Sequence, residues 1–434
     1  MRKLDLLKKK ISLDKKPIFT LIGGTAAGQA VSFLLAPITT RLFSPEVFGD
    51  LSVFTSITGI IGIVICLRYE LTIVVPKDDS EGFNLFKLCL FFTTAISILI
   101  GLLFFVFKVE IYATFNAFRL AKYWYFVPLT LFFTGIVQAS NYWLIRKNNF
   151  KIISFNKLVP SLIVNLLSIF LGLIGYKEVG SRLFSILMSL IVNVLIVIKV
   201  IYPEFHMSYK FEKETCFGLV KKYKDAAVYD VLGSMINNMA WMIVPILLNY
   251  FYSSNAAGQY SVGLRVIQVP ANIIGISISS VFIKRASDLR RTGGLYDYCI
   301  NICKKLFIVT LPICLVFLFF GKQIFELVFG SEWQVAGIYM QILSPWALAW
   351  FCISPLFGIF TLMSKQKVFL IFSILNLSTR YLSLRLGNYQ GSDVKGLIYF
   401  SISGALIYCM CLGVVLHLSL KSDRAIAQSK IIHE

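Results

Sequence analysis

The chain has 434 residues, 57% of them hydrophobic and 15% charged, with a mean hydropathy of +0.76, against roughly 45–50% apolar and about 25% charged residues in ordinary soluble domains. Long apolar runs recur from Thr20 to His417 and leave no stretch of soluble composition, which excludes a soluble enzyme. The 42 Lys and Arg outnumber the 22 Asp and Glu for a formal charge of +20, but the basic residues sit mainly in short loops, so the excess reads as membrane topology and no nucleic-acid partner is expected.

Runs such as Leu88–Phe107 and Leu183–Ile201 are apolar on every face, unlike the short alternating strands of a membrane β-barrel, so the spans are helices. About 20 apolar residues cross a bilayer. On that ruler the first half carries spans at 18–42, 48–75, 83–107, 122–145, 151–176 and 180–201. The second half carries spans at 226–250, 256–283, 299–320, 334–362, 367–388 and 395–417, of which the eleventh is weakened by Arg380 and Arg385. The implied organisation is a cytoplasmic N-terminal tail over 1–17, an N-lobe over 18–201, a basic cytoplasmic linker over 202–225, a C-lobe over 226–417 and a cytoplasmic tail over 418–434.

The basic N-terminus resembles the start of a signal peptide but lacks an A-x-A cleavage site, so it is expected to be retained. With that end inside, cytoplasmic segments hold 27 Lys and Arg and outside loops hold 8, which places both termini in the cytoplasm by the positive-inside rule. No outside loop is long enough for a catalytic domain, so an enzyme is not expected and no catalytic residue is assigned.

Span 1 runs from Gly24 through Pro37-Ile38 into Gly49-Asp50-Leu51-Ser52-Val53. Span 7 runs from Gly233 through Pro245-Ile246 into Gly258-Gln259-Tyr260-Ser261-Val262, at an offset of 208 or 209 throughout. Both copies open a half on an outward-going helix, which indicates a parallel duplication and hence two six-helix bundles around a central cleft. The expected fold is an all-α integral membrane protein of about twelve transmembrane helices.

An ionised side chain at the bilayer centre costs about 2.5–3.5 kcal/mol even on the lenient insertion scale, so charges inside spans face protein, water or a partner. In span 2, Arg68 lies about 12 Å of helix from the cytoplasmic boundary at Pro76. Glu70 follows two residues on, about 200° around a helix, so the two cannot form a simple intrahelical pair and at least one should meet another helix or the cleft. Asp230 in span 7, followed by Asn237 and Asn238, is the second acid placed inside a span; it either carries a coupling ion, salt-bridges a cleft arginine or stays wet near its cytoplasmic boundary.

Arg265 lies about nine residues into span 8, too deep for an ordinary loop charge, and either lines a cavity or forms a structural ion pair. Lys157, Lys304 and Lys305 are near span ends, where long side chains reach head groups. In span 11, Arg380 is the candidate to face the cleft while Arg385 snorkels outward. The cleft cations Arg68, Arg265 and Arg380 suit an anionic substrate, because the guanidinium fork matches phosphate oxygens. Glu70 and Asp230 are the candidates for ion coupling.

Eight prolines fall inside spans, at Pro37, Pro128, Pro160, Pro245, Pro270, Pro312, Pro345 and Pro355; each can kink its helix, although proline is also simply common in such helices. Nine scattered cysteines form no CxxC pair, and His206, His417 and His433 sit at no metal-ligand spacing, so neither a metal nor a cofactor is expected.

The opening Leu21-Ile22-Gly23-Gly24-Thr25, the stretch from Pro37-Ile38-Thr39-Thr40-Arg41-Leu42-Phe43-Ser44-Pro45-Glu46 to Gly49, then Leu67-Arg68-Tyr69-Glu70, Val75-Pro76 and Ser280–Ser287 resemble bacterial O-antigen flippases (Wzx) of the polysaccharide transporter family. The resemblance implies two six-helix bundles of the multidrug/oligosaccharidyl-lipid/polysaccharide exporter superfamily in the bacterial inner membrane. It also implies a role in turning undecaprenyl-pyrophosphate-linked oligosaccharide from the inner to the outer leaflet, with an H+ or Na+ coupling ion and contacts to a polysaccharide polymerase and a chain-length regulator as further expectations. The alternative on the same fold is a multidrug or cation antiporter, in which the deep acids would matter more than the arginines.

Overall fold

In the computed structural model, residues 15–206 and 213–433 are described, apart from the side chains at 15–22, 204–206, 213–217, 225–234, 272–274, 276, 277, 280 and 429–433. The described residues are overwhelmingly helical and contain no strand. The α-helices are α1 (Lys15–Leu42), α2 (Pro45–Gly62), α3 (Asp79–Thr114), α4 (Phe126–Arg146), α5 (Phe150–Leu173), α6 (Val179–His206), α7 (Lys213–Phe251), α8 (Ser254–Thr292), α9 (Leu295–Phe329), α10 (Gln334–Ile353), α11 (Gly358–Leu362), α12 (Gln366–Tyr389) and α13 (Asp393–His433). Short 3-10 turns lie at Tyr69–Val74, Phe118–Tyr123, Ser331–Trp333 and Ser354–Leu356.

Each of the twelve expected spans is met by helix. Six helical segments are long and apolar enough to cross a membrane, and Met235–Phe251 is a shorter apolar helix. Their outer faces remain apolar: Leu99, Leu102 and Phe105 on α3 and Ile308, Phe319 and Phe320 on α9 are all exposed. Surfaces of that kind are stable only against hydrocarbon, and the chain is a multi-pass membrane protein.

Two spans are interrupted. The stretch 48–75 is not one helix: α2 ends at Gly62, and Leu67 (φ 49°) and Arg68 (φ 63°) are left-handed before the 3-10 turn begins. The stretch 334–362 breaks at Pro355, which opens the turn Ser354–Leu356 because proline cannot donate to the preceding helical carbonyl. By contrast, α1, α5, α7, α8, α9 and α10 run through their internal prolines. A kink at Phe107 (φ −109°, ψ 22°) in α3 falls at the end of the span expected over 83–107. The connection expected over 202–225 is helical on both sides of residues 207–212.

The chain divides into two compact units, Met1–Asn238 and Met239–Glu434, and α7 runs across the division. In the first unit, α1 packs on α5, α5 on α6, and α3 on α4. The α1/α5 contact is made close by small residues. A Cβ at Gly24 would lie 2.5 Å from Ser154 Cβ, and one at Gly28 would lie 2.7 Å from the Lys157 carbonyl oxygen. Hydrogen bonds then knit the two backbones. Asn165 donates to Ser32 Oγ at 3.1 Å, and Ser161 donates to the Gly28 carbonyl at 2.6 Å. With its own proton so used, Ser161 accepts from Ser32 at 2.8 Å. Small residues with polar cross-links are what binds helices where no hydrophobic force acts between them. In the second unit, α9 packs on α10, α10 on α13 and α12 on α13, around Trp333, Tyr339 and Trp346.

The sequence duplication has a structural counterpart. Ser44 and Ser253, 209 residues apart, are the N-caps of α2 and α8, and Ser253 Oγ accepts from the Ala256 amide at 3.1 Å. The related stretches starting at Gly49 and Gly258 then begin at the fifth residue of each helix, with Asp50 and Gln259 at the same place and both buried.

Candidate functional site

The left-handed pair Leu67-Arg68 in the first unit produces a contact that an α-helix forbids. Arg68 Nη1 reaches Glu70 Oε1 at 3.3 Å, so the two charges do pair within one segment, contrary to the expectation from helical geometry, because the backbone between them is not α-helical. Glu70 is fully buried, Arg68 is 17% exposed, and Gln138 Nε2 from α4 also donates to Glu70 Oε1, at 2.8 Å. Beneath the turn, Cys66 Sγ lies 3.3 Å from Thr93 Oγ1 and donates to the Gly135 carbonyl at 3.7 Å.

The far end of the 3-10 turn is held by Arg146, the last residue of α4. It donates to the carbonyls of Ile73 (3.1 Å) and Pro76 (2.7 Å) and to Asp79 Oδ1 (2.8 Å), while Lys147 reaches Asp79 Oδ2 at 2.7 Å. One guanidinium thus satisfies two carbonyls that the turn cannot pair internally. The side of α7 that belongs to this unit packs at the same end. Tyr69 donates to the Val220 carbonyl at 3.1 Å, and Lys222 and Tyr223 reach Glu81 Oε1 at 2.6 and 3.1 Å.

Asp50, 1% exposed, is a buried acid whose depth its place near the start of its helix does not reveal. Its Oδ2 faces Arg119 Nη1 at 3.9 Å. The duplicate position, Gln259, bridges to the next helical pair by donating to the Glu332 carbonyl (2.7 Å) and accepting from the Ala336 amide (2.9 Å). Between spans 5 and 6, Glu178 accepts from Lys122 and Tyr123 at 2.7 and 2.8 Å, and the Lys122 bond holds its carboxyl below the ordinary range.

The second unit separates its two candidate arginines. Arg380 is 3% exposed; its guanidinium donates to the Ala240 carbonyl and lies over the rings of Trp241 (4.8 Å), Phe400 (5.3 Å) and Trp346 (6.0 Å). The structure therefore gives Arg380 a packed aromatic cage. The rings come from α7, α10 and α13, far apart in sequence, so no local pattern signals the cage.

Arg265 is the opposite case. Its neighbours Leu264 and Val266 are buried, yet Arg265 is exposed, and among the described residues no hydrogen bond or ion pair engages its guanidinium. Inside a membrane such a cation is tolerated against protein, water or a partner, and the described residues supply it no hydrogen-bonding or ionic partner. Arg68 and Glu70 are thus brought together within one unit, whereas Arg265 and Arg380 in the other have different environments. Asp230 lies in α7, and its side chain falls outside the described residues. Among the described residues no cluster of His, Cys, Asp and Glu could hold a metal ion.

Residues 38–337 match the family model described as "Polysaccharide biosynthesis protein". No curated protein matches the chain by sequence. Among solved structures, the chain is similar to the lipid II flippase MurJ in an inward closed conformation, with a TM-score of 0.73, 14% identity, and coverage of 95% of this chain and 92% of that one. It is also similar to an inward-facing multidrug resistance MATE family transporter of the MOP superfamily, with a TM-score of 0.70, 16% identity, and coverage of 92% and 96%. A MOP superfamily transporter from Pyrococcus furiosus, described as having a binding pocket of reverse polarity, gives a TM-score of 0.60 at 14% identity over 95% and 96%. These likenesses establish an all-α fold of the MOP transporter type, and the solved neighbours are transporters and a flippase rather than enzymes.

Proposed function

The chain belongs to the polysaccharide biosynthesis protein family, and from that membership we propose that it is a flippase for a saccharide carried on a polyprenyl pyrophosphate. The substrate is an undecaprenyl-pyrophosphate-linked oligosaccharide, such as an O-antigen repeat unit, moved from the cytoplasmic to the outer leaflet of a bacterial inner membrane. The family match carries the proposal, since it ties a MOP-type transporter fold to polysaccharide assembly rather than to drugs.

Within this proposal the two lobes, residues 18–201 and 226–417, alternate access to the two sides, with both termini in the cytoplasm. Arg265 meets the pyrophosphate, because an exposed guanidinium on a membrane helix is ready for a phosphate fork. Arg68 shares its charge with Glu70 and contributes a second, partly open cation. Outward movement of an anion is assisted by an inside-negative potential at about 2.3 kcal/mol per charge per 100 mV, so the potential itself supplies part of the drive. Glu70 and Asp230 are the candidates for an H+ or Na+ coupling role, and a polymerase and a chain-length regulator are the expected protein partners. Arg380 acts as a structural centre of the C-lobe.

The competing function is drug or cation antiport, favoured by the likeness to a MATE transporter. Complementation of a flippase-deficient bacterium separates the two. Restored surface polymer with cleared lipid-linked intermediate supports the flippase. Persisting intermediate together with resistance to cationic compounds supports the antiporter.

A further inference from the structure

The second unit carries a surface groove that takes no part in the roles assigned above. It lies between α9, α10 and α13 and is lined by Cys303, Lys304, Phe307, Ile308, Cys352 and Leu412. Its volume of about 320 Å3 is at the lower end of ligand pockets, which run from about 300 to 1,000 Å3. The walls are almost wholly apolar. The Cys303 thiol is directed at the Cys352 carbonyl at 3.8 Å, so its proton is used within the wall, and Phe307 and Ile308 stand exposed at the lip.

Lys304 is the one charged residue among the six, and it is exposed. Its depth can be read from α9 itself. From Leu306 to Gly321 there is no charged residue, a run of about 24 Å at the helical rise, bounded by Lys304-Lys305 at one end and Lys322 at the other. Those lysines mark the two head-group levels of the helix, since long basic side chains at span ends reach the interface. The groove therefore begins at a head-group cation and is walled by side chains of hydrocarbon character.

A free phosphate ion would match Lys304 and waste the apolar walls, and a neutral lipid would match the walls and leave Lys304 unused. A single apolar chain carrying an anionic phosphate head group matches both. We propose that this groove is a binding site for an anionic glycerophospholipid, with one acyl chain against Phe307, Ile308 and Leu412 and the head-group phosphate on Lys304. Its test reads lipid binding directly and does not depend on flippase activity.

The test is native mass spectrometry of the purified full chain in mild detergent with dioleoylphosphatidylglycerol or dioleoylphosphatidylcholine. The wild-type protein is expected to keep one phosphatidylglycerol adduct at activation energies that strip phosphatidylcholine. Lys304→Ala should lower that adduct by about five-fold, the weight of one basic side chain near an anionic lipid surface. Lys304→Arg should retain it, which separates loss of charge from loss of fold. Ile308→Trp, which fills the lip from an exposed position, should lower it. Lys305→Ala changes the neighbouring charge outside the groove and should leave it intact. Equal retention of the two lipids, an unchanged adduct in Lys304→Ala, or an equal loss in Lys305→Ala would overturn the proposal.

Discussion

Arg380 and Arg265 make opposite predictions, and the contrast tests how cations are divided between holding the fold and binding the substrate. Truncating Arg380 to Ala empties a space bounded by Trp241, Trp346 and Phe400 and removes the donor to the Ala240 carbonyl. A large-to-small change at a packed site costs about 2–5 kcal/mol. The lost cation–π contacts of about 0.5–2 kcal/mol each are offset by no longer having to bury a charge. Replacing Arg380 with Met keeps most of the volume without the charge, and such swaps at buried ionic sites are often close to neutral. Arg380→Ala should therefore lower the melting temperature sharply, while Arg380→Met should fold and still transport. Arg265→Met should melt near the wild type and fail to transport, because among the described residues no hydrogen bond or ion pair of its guanidinium is lost. The assay is heating followed by size-exclusion detection of the surviving fold, beside complementation of a flippase-deficient strain at matched expression. A folded but inert Arg380→Met would refute the structural role, since only a ligand could then be missing the charge.

Further outcomes follow from the packing. Gly28→Ala should push α1 from α5, because its Cβ would meet the Lys157 carbonyl at 2.7 Å; a loss of about 1–3 kcal/mol is expected, seen as a lower melting temperature. Leu67→Gly should leave stability equal or higher, since it relieves a left-handed leucine at φ 49° that costs about 1–2 kcal/mol; a marked drop would show that the leucine side chain holds the turn. Glu178 has its carboxyl held below the ordinary value by Lys122 and Tyr123, so its contribution is present at neutral pH and is lost as pH falls through the lowered folded-state value. The melting-temperature gap between the wild type and Glu178→Gln should accordingly close on acidification, and a gap that widens would contradict the assignment.

The helices were legible because the bilayer imposes a length on apolar runs, and all twelve expected spans have helical counterparts. The duplication was legible too, since the shared Gly and Ser-Val positions open α2 and α8 in the same way. The break at Leu67-Arg68 was not, because neither glycine nor proline marks it. The turn is held instead from a distance, by Gln138 on Glu70 and by Arg146 on the carbonyls of Ile73 and Pro76. Arg146 stands at the end of its helix, where a basic residue is ordinary, and nothing local marks its bonds to these carbonyls. The depth of Arg265 and Arg380 could be counted along the chain, but their different surroundings depend on rings that only tertiary packing assembles.

The central claim is that the chain moves a lipid-linked saccharide without making or breaking a bond. It is tested most directly by reconstituting the purified protein in liposomes with a fluorescent polyprenyl-pyrophosphate oligosaccharide and measuring the fraction reachable from outside by a membrane-impermeant quencher over time. The account predicts movement between leaflets by the wild type and by Arg380→Met, loss in Arg265→Met, and an oligosaccharide recovered intact. A correctly inserted wild-type protein that leaves the labelled lipid in its starting leaflet while exchanging an organic cation would contradict it.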